Sequence, residues 1–362
     1  MRWKRGLFLL AAGLASVFVL LFPASLVTHS QKTTATVQVD CTKNESINAA
    51  LASQTKAQKL TIEIRGMCHE NVVVTRDQVT LHGADPANDG IQAAVNAEIT
   101  DAALWIRAAT LVTVENLTLT GGFSGLLATN ANLPSIRVVN CRLTGNNSFG
   151  LQLENSLAVA TDTTFEIAGN GGAAGLFFAS RLACNHCTLI APASGAGATL
   201  IAVNSFASAG LQSTFTGGPI RAEGSSVSIF DATINISAAS VPSVNSVSNS
   251  SVNLTRVQVT GRMFFGQGST AALNAVVQSP LSGQPNEATF GSTVVVGSAG
   301  QPGPPNIHSN LGNFDVTNFS KFVLNQGSTI DGNLVCRSGG DANCANPASV
   351  IGATNCAQCP KP

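Results

Sequence analysis

The charged residues of this chain concentrate in one short stretch, LTIEIRGMCHENVVVTRDQVTLHG, at residues 60–83. Only 10% of the chain is charged overall, so we first consider a chemical role for this stretch. His69 and Glu70 could act as an acid/base pair, and Arg76 could orient an anionic sugar. The candidate catalytic residues are Arg65, His69, Glu70, Arg76 and Asp77. The alternative, which we favour, is structural: the ion pairs Arg65–Glu70 and Arg76–Asp77 would lock a cap onto the first turn of the fold.

The adjoining turn, HGADPANDGIQ, is a candidate calcium site. Asp85, Asn88 and Asp89 offer oxygen atoms there, but Ca²⁺ takes six to eight oxygen ligands. A solvated turn is therefore the favoured interpretation, with Ca²⁺ as the alternative, and we predict no other metal and no cofactor. Elsewhere the carboxylates are scattered, and the sequence suggests no aligned pair on one outward face of the kind that glycoside hydrolysis requires.

The amino terminus resembles an export signal. A basic start is followed by 17 mostly apolar residues, Gly6 to Phe22, a length between that of a signal peptide and that of a membrane span. We predict a signal peptide or membrane anchor over residues 1–30 and a periplasmic, cell-surface or secreted location for the rest. Lysine plus arginine equals aspartate plus glutamate, which argues against nucleic acid as a partner. Membrane contact is expected only through this segment.

A repeated motif organises the body of the chain: a polar turn residue, two variable residues and an apolar residue. It reads NLTL at Asn116–Leu119, NCRL at Asn140–Leu143, DTTF at Asp162–Phe165 and HCTL at His186–Leu189, and it continues as QSTF, DATI and RVQV. The apolar positions are residues 119, 143, 165, 189, 215, 234 and 259, with steps of 24, 22, 24, 26, 19 and 25 residues. A second series, GLLATN, GLQLEN and GLFFAS, follows the same spacing.

Such a unit of three short strands cannot bury its apolar face alone, so it must stack in parallel on copies of itself. We therefore predict an all-β parallel solenoid. The apolar positions would form an internal column, and Asn116, Asn140, Asp162 and His186 would form a polar column at a turn, because such residues tolerate left-handed backbone.

These phased G-L-x-φ and N-x-[TR]-L runs resemble those of right-handed parallel β-helix proteins, the pectin-lyase-like superfamily. The resemblance covers residues 36–335 and implies a single-stranded helix of 22–25-residue coils with an N-terminal cap at about residues 36–60. In that cap, Ser46–Ser53 reads as a short helix with Ser46 as its N-cap. The superfamily hosts lyases, hydrolases and non-enzymatic proteins. The DD, GHG and RIK motifs of its polygalacturonase-like branch are absent here.

The nine cysteines are an odd number, and export favours disulfides. We predict a Cys41–Cys68 bridge that pins the cap to the first coil. In the Cys-rich tail at residues 336–362, Cys336, Cys344, Cys356 and Cys359 are expected to form two disulfides, with a zinc site as the alternative. Cys141 and Cys187 share a repeat phase but lie two coils apart, too far to bridge, so we expect both to be free and buried. Cys184 and Cys187 form a C-x₂-C, for which a strained bridge or a metal site stays open.

The sequence thus favours a non-catalytic exported β-helix that binds a polysaccharide or a cell-surface protein, or that holds a structural role. The alternative is a carbohydrate-active enzyme, either a polysaccharide lyase or a glycoside hydrolase, that acts through the charged opening stretch. Sugar binding usually needs exposed aromatic rings, and the chain has no Tyr and two Trp. Trp105 is the ring whose exposure would bear on this choice.

Overall fold

The computed structural model describes residues 33–98, 100–132, 135–169, 171–192, 197–236, 241–279, 284–297, 309–345 and 350–359. The predicted signal or anchor segment lies outside these residues. Within them, the chain winds into a parallel β-helix, as predicted. No helix in this part is long and apolar enough to cross a membrane.

Each complete coil contributes one strand to each of three parallel faces, here called sheets 1, 2 and 3, and two ten-residue strands run continuously through sheets 1 and 2. Sheet 1 contains Thr34–Asp40, Lys59–Arg65, Val79–Gly83, Thr113–Glu115, Ile136–Val139, Leu157–Thr161, Arg181–Asn185, Phe206–Gly210, the first part of Ser226–Asn235 and of Ser251–Thr260, Thr270–Asn274, Thr293–Val296, Lys321–Leu324 and Asp341–Cys344. Sheet 2 contains Met67–His69, Gly90–Gln92, Thr118–Thr120, Arg142–Asn146, Thr164–Ile167, Thr188–Ile190, Thr214–Thr216, the second part of the two ten-residue strands, Val277–Ser279, Asn310–Leu311 and Thr329–Ile330. Sheet 3 contains Val72–Val74, Leu104–Arg107, Ser124–Thr129, Phe149–Glu154, Ala173–Phe178, Ala198–Val203, Ile220–Glu223, Val244–Val247, Met263–Phe265, Asn286–Ala288, Phe314–Val316 and Leu334–Cys336.

The predicted apolar column is confirmed in register. Leu119 pairs with Leu143, which pairs with Phe165, and the pairing continues through Leu189, Phe215, Ile234 and Val259. Each of these side chains is at most 1% exposed. Stacking at about 4.8 Å per coil places them in contact along the axis, so this column forms part of one continuous core.

The polar turn column is confirmed as well. Asn116, Asn140, Asp162 and His186 all have φ between 48° and 53°, the left-handed region that Asn and Asp tolerate best. Their side chains meet in pairs: the Asn140 amide donates to Asn116 Oδ1 at 2.8 Å, and His186 Nδ1 lies 3.5 Å from Asp162 Oδ1. The same position holds Asp231 and Arg256 further along, joined by an ion pair.

A column of buried serines lines the corner between sheets 3 and 1. The backbone N–H of Ser156 donates to the hydroxyl of Ser180, the N–H of Ser180 to that of Ser205, and the N–H of Ser205 to that of Ser225, at 3.0–3.1 Å. Each of these hydroxyls also donates to a carbonyl two residues back in its own coil. The corner therefore satisfies backbone groups that would otherwise be buried without partners.

The N-terminal end is closed by one short helix. Strand Thr34–Asp40 leads into a 3-10 turn at Cys41–Lys43 and helix α1 at Ile47–Ser53. Ser46 is the N-cap, as predicted, and its hydroxyl accepts from the Ala49 N–H at 3.2 Å. The predicted bridge Cys41–Cys68 is present with a Cα–Cα distance of 5.0 Å.

The cysteines of the C-terminal tail bind as two disulfides, Cys336–Cys356 and Cys344–Cys359. Cys141 is free and buried, as expected. The expectation for Cys187 was wrong, because it forms a disulfide with Cys184 across the left-handed turn at His186. The distance argument excluded only a bridge between coils, and the partner lies within the same coil.

Candidate functional site

The Glu70 carboxylate accepts hydrogen bonds from the N-terminal end of the cap helix. It accepts from the Ile47 N–H at 2.6 Å, from the Ser46 hydroxyl at 2.9 Å and from the Asn48 side-chain amide at 2.7 Å. These donors are the first backbone and side-chain groups of α1, where orphan N–H groups and the helix dipole attract a negative charge. Glu70 therefore anchors the helix to the first coil, and its predicted ion pair with Arg65 does not form.

Arg76 and Asp77 serve the same end of the fold. The Arg76 guanidinium donates to the Gln54 carbonyl at 2.5 Å and also to the Ala57 carbonyl, just past the end of α1. Asp77 accepts from the backbone N–H and the hydroxyl of Thr110 at 2.7 and 2.8 Å. The predicted Arg76–Asp77 ion pair is thus wrong, because carbonyls at the helix C-terminus hold the cation.

The turn at residues 82–92, for which calcium was the alternative to a solvated turn, is held together by hydrogen bonds to its carboxylates. Asp89 is 5% exposed, and its carboxylate accepts from the N–H groups of Gly66, Ala84 and Asp85 at 2.8–3.0 Å. Asp85 accepts from Asn88 Nδ2 at 2.8 Å. These bonds show that the carboxylates shape the turn, and the described residues contain no group of three or more His, Cys, Asp or Glu side chains placed to hold a metal ion.

Two further polar residues of the stretch, Glu63 and His82, lie on the outward face of sheet 1 in line with Gln38 and Glu115. Gln38, Glu63, His82 and Glu115 are register partners in four successive coils. Gln38 donates to Glu63 Oε2 at 3.3 Å, and His82 Nδ1 lies 3.5 Å from Glu115 Oε2. We call these four residues the sheet 1 column. Its two carboxylates stand on either side of His82, separated by two strand spacings, or about 9.6 Å of backbone.

An open groove of about 780 Å³ runs beside the first three residues of this column. Arg65 lines the groove two residues beyond Glu63 on the same strand, and its side chain is exposed. Asp40 and Lys43 form one wall and pair with each other at 3.1 Å. Hydrogen bonds from Thr42 and then from Lys43 hold the pKa of Asp40 below its ordinary value of 3.8. We call this feature the sheet 1 groove.

The groove brings together only one of the five candidate catalytic residues, Arg65. His69 is exposed on sheet 2 and does not line it, while Glu70, Arg76 and Asp77 bind the cap and its neighbouring loop. The alignment of Glu63 with Glu115 was missed by the sequence analysis. The loop between Gly90–Gln92 and Leu104–Arg107 lengthens that coil. The residues of the column are therefore not separated by the regular spacing of the later coils, and no repeat in the sequence marks them.

Trp105 is not a bare aromatic platform. Its indole N–H donates to the Thr129 hydroxyl at 3.0 Å, and the Arg107 guanidinium lies over the ring at 5.1 Å from its centre. The ring thus packs against neighbours on the outer face of sheet 3. Stacking of a sugar on the face of the ring that Arg107 covers would require Arg107 to move.

The sequence matches no protein-family model, and a search of curated proteins gives no match. Among solved structures, the chain is similar to tailspike protein 2 of a bacteriophage of Escherichia coli O157:H7, with 11% identity, a TM-score of 0.35 and coverage of 78% of this chain and 38% of the tailspike. It is also similar to the catalytic domain of a GH87 alpha-1,3-glucanase in complex with tetrasaccharides, with 12% identity, a TM-score of 0.33 and coverage of 90% of this chain and 69% of that one. The chain spans less than two fifths of the tailspike. At these scores neither neighbour bears on the chemistry of this chain.

Proposed function

We propose that this protein is an exported, non-catalytic β-helix that binds a polysaccharide in the sheet 1 groove. The observation that carries this proposal is the set of polar atoms left free in the groove. Arg65 has no hydrogen-bond partner among the described residues, one oxygen of Glu63 is unused, and Nε2 of His82 is unpaired. Guanidinium, carboxylate and imidazole groups on a rigid, open surface can hydrogen-bond to sugar hydroxyls.

The surroundings of the groove suit an extended neutral or weakly charged chain. Beside the sheet 1 column runs a second outward row, Thr36, Thr61, Thr80 and Thr113, in register over the same four coils. Hydroxyl groups repeated at about 4.8 Å offer successive hydrogen bonds along the rod. The four disulfides agree with an oxidising compartment outside the cytoplasm.

The non-catalytic assignment rests on how the charged stretch is used. Glu70, Arg76 and Asp77 are engaged in bonds that hold the cap, so they are not free to transfer protons to a substrate. Arg65 shares the groove with acidic side chains, namely Asp40, Glu45, Glu63, Asp85 and Asp89. Within the described residues, however, no three or more His, Cys, Asp or Glu side chains are placed to hold a metal ion, as the calcium ligands of polysaccharide lyases of this architecture would be. Binding therefore needs fewer assumptions than lyase chemistry.

One observation favours an enzyme as the second candidate. The backbones of Glu63 and Glu115 are about 9.6 Å apart, near the upper limit of the roughly 6.5–9.5 Å between the carboxyl groups of inverting glycoside hydrolases. In that arrangement one carboxylic acid protonates the leaving oxygen and the other activates water. His82, which lies between them, would have to swing aside to admit the sugar.

The test is a binding screen of the purified protein against soluble neutral and acidic polysaccharides by isothermal titration calorimetry. Arg65→Ala and Glu63→Ala should each weaken binding about tenfold or more, as expected for the loss of a charge-assisted hydrogen bond. His69→Ala, an exposed change outside the groove, is the matched control and should leave binding unchanged. Equal binding by all variants would place the ligand elsewhere.

The enzyme candidate is separated in the same samples by measuring new reducing ends. Production of reducing ends by the parent protein, abolished in both Glu63→Gln and Glu115→Gln, would replace binding by hydrolysis as the function of the groove. Binding without new reducing ends would support the non-catalytic assignment.

A further inference from the structure

The last coil that the structure describes differs from the others. Residues 350–359 pass once more along all three sheets, with Val350 opposite Ile330, Thr354 opposite Leu334 and Gln358 opposite Asn343. These three contacts are isolated bridges, whereas each earlier coil contributes strands. Two disulfides, Cys336–Cys356 and Cys344–Cys359, tie this segment to the coil beneath. We call residues 350–359 the terminal coil.

The terminal coil covers apolar core. Ile330 and Leu334 beneath it are fully buried, and Ala342 is 1% exposed. Its own contribution to the core is small: Val350 and the half-cystines Cys356 and Cys359 are its buried apolar residues. Such a segment has little apolar area to hold it in place. Its attachment rests on the two covalent links and on hydrogen bonds to the coil beneath, such as those from the N–H groups of Ile351 and Gly352 to the carbonyls of Ile330 and Gly332 at 3.0 and 3.1 Å.

The four disulfides differ in what their loss would release. Cys184 and Cys187 are at most 2% exposed, and Cys184 sits in a strand that is paired on both sides. Cys68 lies in a strand, and Cys41 follows one directly. The terminal coil is different, because two disulfides are its covalent links to the coil beneath and Cys336 is a half-buried residue that solvent can reach.

We propose that the terminal coil is a redox-controlled flap. A thiol reductant opens Cys336–Cys356 and then Cys344–Cys359, the coil detaches while the rest of the β-helix stays folded, and an apolar sheet end is uncovered. The site of modification is the Cys336–Cys356 bond, and the reagent is a small thiol or a dithiol protein. This inference does not depend on what the sheet 1 groove binds.

The chemistry of each opening is a two-electron exchange. A thiolate attacks the accessible sulfur of Cys336, forms a mixed disulfide with it, and displaces Cys356 as a thiolate that takes up a proton. A second thiolate attacks the reductant sulfur of the mixed disulfide, releases Cys336 as a thiol, and leaves the reductant oxidised as a disulfide. One protein S–S bond is broken, one S–S bond is formed in the reductant, and each protein sulfur gains one proton.

The experiment titrates the full chain with dithiothreitol and follows two quantities by mass spectrometry: alkylated cysteines and backbone hydrogen exchange. We expect the tail cysteines to be alkylated before Cys184 and Cys187. Exchange over residues 350–359 should then accelerate on the order of a hundredfold for each bridge lost, with little change in residues 104–265. Binding of a hydrophobic dye should rise in parallel.

Serine variants keep the proposal testable at each bridge. The double change Cys336→Ser with Cys356→Ser should partly release the terminal coil, and adding Cys344→Ser and Cys359→Ser should release it fully without reductant. The matched control, Cys184→Ser with Cys187→Ser, should leave residues 350–359 protected. If the fourfold variant does not fold, the titration of the parent chain supplies the same readout.

Three results would overturn the proposal. Residues 350–359 could keep their protection after both tail bridges are cut, which would show that hydrogen bonds and packing suffice. The Cys184–Cys187 bond could open before the tail bonds. All coils could lose protection together, which would make the disulfides stabilisers of the whole fold and not hinges of one flap.

Discussion

Replacement of Glu70 by alanine tests whether the charged stretch is a cap or a catalyst. The change removes the acceptor for the Ile47 N–H at 2.6 Å, the Ser46 hydroxyl at 2.9 Å and the Asn48 amide at 2.7 Å. It also removes the negative charge at the start of α1, where the helix dipole favours it. The helix keeps its Ser46 cap, the bonds of Asn48 to Asn71 and Val73, and the contact of Arg76 with the Gln54 carbonyl.

The size of the effect follows from these contacts. A hydrogen bond to a charged group contributes about 1.5–3 kcal/mol, and the charge at the helix end adds about 0.5 kcal/mol. Glu70 is half-buried, so water replaces part of what is lost, and we expect the attachment of α1 to weaken by about 2–4 kcal/mol. Glu70→Gln keeps the shape but not the charge and should lose about 1 kcal/mol.

Hydrogen exchange measured by mass spectrometry reports this loss locally. A loss of about 2–4 kcal/mol corresponds to roughly 30- to 1,000-fold faster exchange in residues 41–57. Coils interact with their nearest neighbours, so strands beyond Thr113–Glu115 should be unaffected. His69→Ala, next in sequence and exposed, is the control and should change exchange little.

Two results would refute this reasoning. Unchanged protection of α1 in Glu70→Ala would mean that the helix is held by packing of Ile47, and that the carboxylate bonds contribute nothing net. Loss of a polysaccharide-cleaving activity, with the protection of α1 intact, would make Glu70 a catalytic residue and restore the enzyme hypothesis for this stretch.

Four further predictions concern other parts of the molecule. Asp89→Asn should lower the free energy of unfolding by about 2–3 kcal/mol, measured by urea titration, because its buried carboxylate accepts three backbone N–H groups; an unchanged midpoint would contradict this. Ser180→Ala should cost about 1–3 kcal/mol, since it leaves a buried N–H of the preceding coil without its acceptor, and Thr164→Ala on an outer face is the control. Burial raises the pKa of the Cys141 thiol to about 11, so iodoacetamide at pH 8 should not label it until the protein unfolds; labelling of the native protein would refute its burial. The hydrogen bond and charge of Arg256 hold the pKa of Asp231 below 3.8, so this pair stabilises the fold above the unfolded-state pKa and loses its effect as pH falls through the folded-state pKa. Titration by NMR should show the Asp231 pKa returning toward 3.8 in Arg256→Ala, and no movement would mean that the pair is absent in solution.

The regular coils could be predicted from the sequence because the apolar position of each repeat determines the register of its strand with the next coil. The spacing of Leu119, Leu143 and Phe165 gave the register of sheet 2, and the polar residue three places earlier marked the left-handed turn. A period that repeats over six steps leaves few alternative pairings. The fold class, the N-cap at Ser46 and the Cys41–Cys68 bridge were predictable for similar local reasons.

The candidate site was not predictable in the same way. Glu63, His82 and Glu115 become neighbours only after a loop of variable length is closed, and spacing in sequence does not reveal such a match. The partner of Glu70 was not predictable either. A carboxylate close to Arg65 in sequence suggests an ion pair, but the Glu70 carboxylate instead accepts from the unsatisfied N–H groups at the start of α1. Cys187 was expected to be free because the distance argument applied only between coils, and the bridge to Cys184, which the sequence had left open, is the one that forms.

The stacking of each strand on its equivalent one coil earlier also sets an order of folding. Strand Lys59–Arg65 pairs with Thr34–Asp40, and Val79–Gly83 then pairs with Lys59–Arg65, so each new strand finds its template in chain that has already been synthesised. Each pairing therefore joins neighbouring coils, and folding can propagate from one coil to the next. Because α1, Glu70 and the Cys41–Cys68 bridge all lie near the beginning, the first template can be complete while the later coils are still being translated.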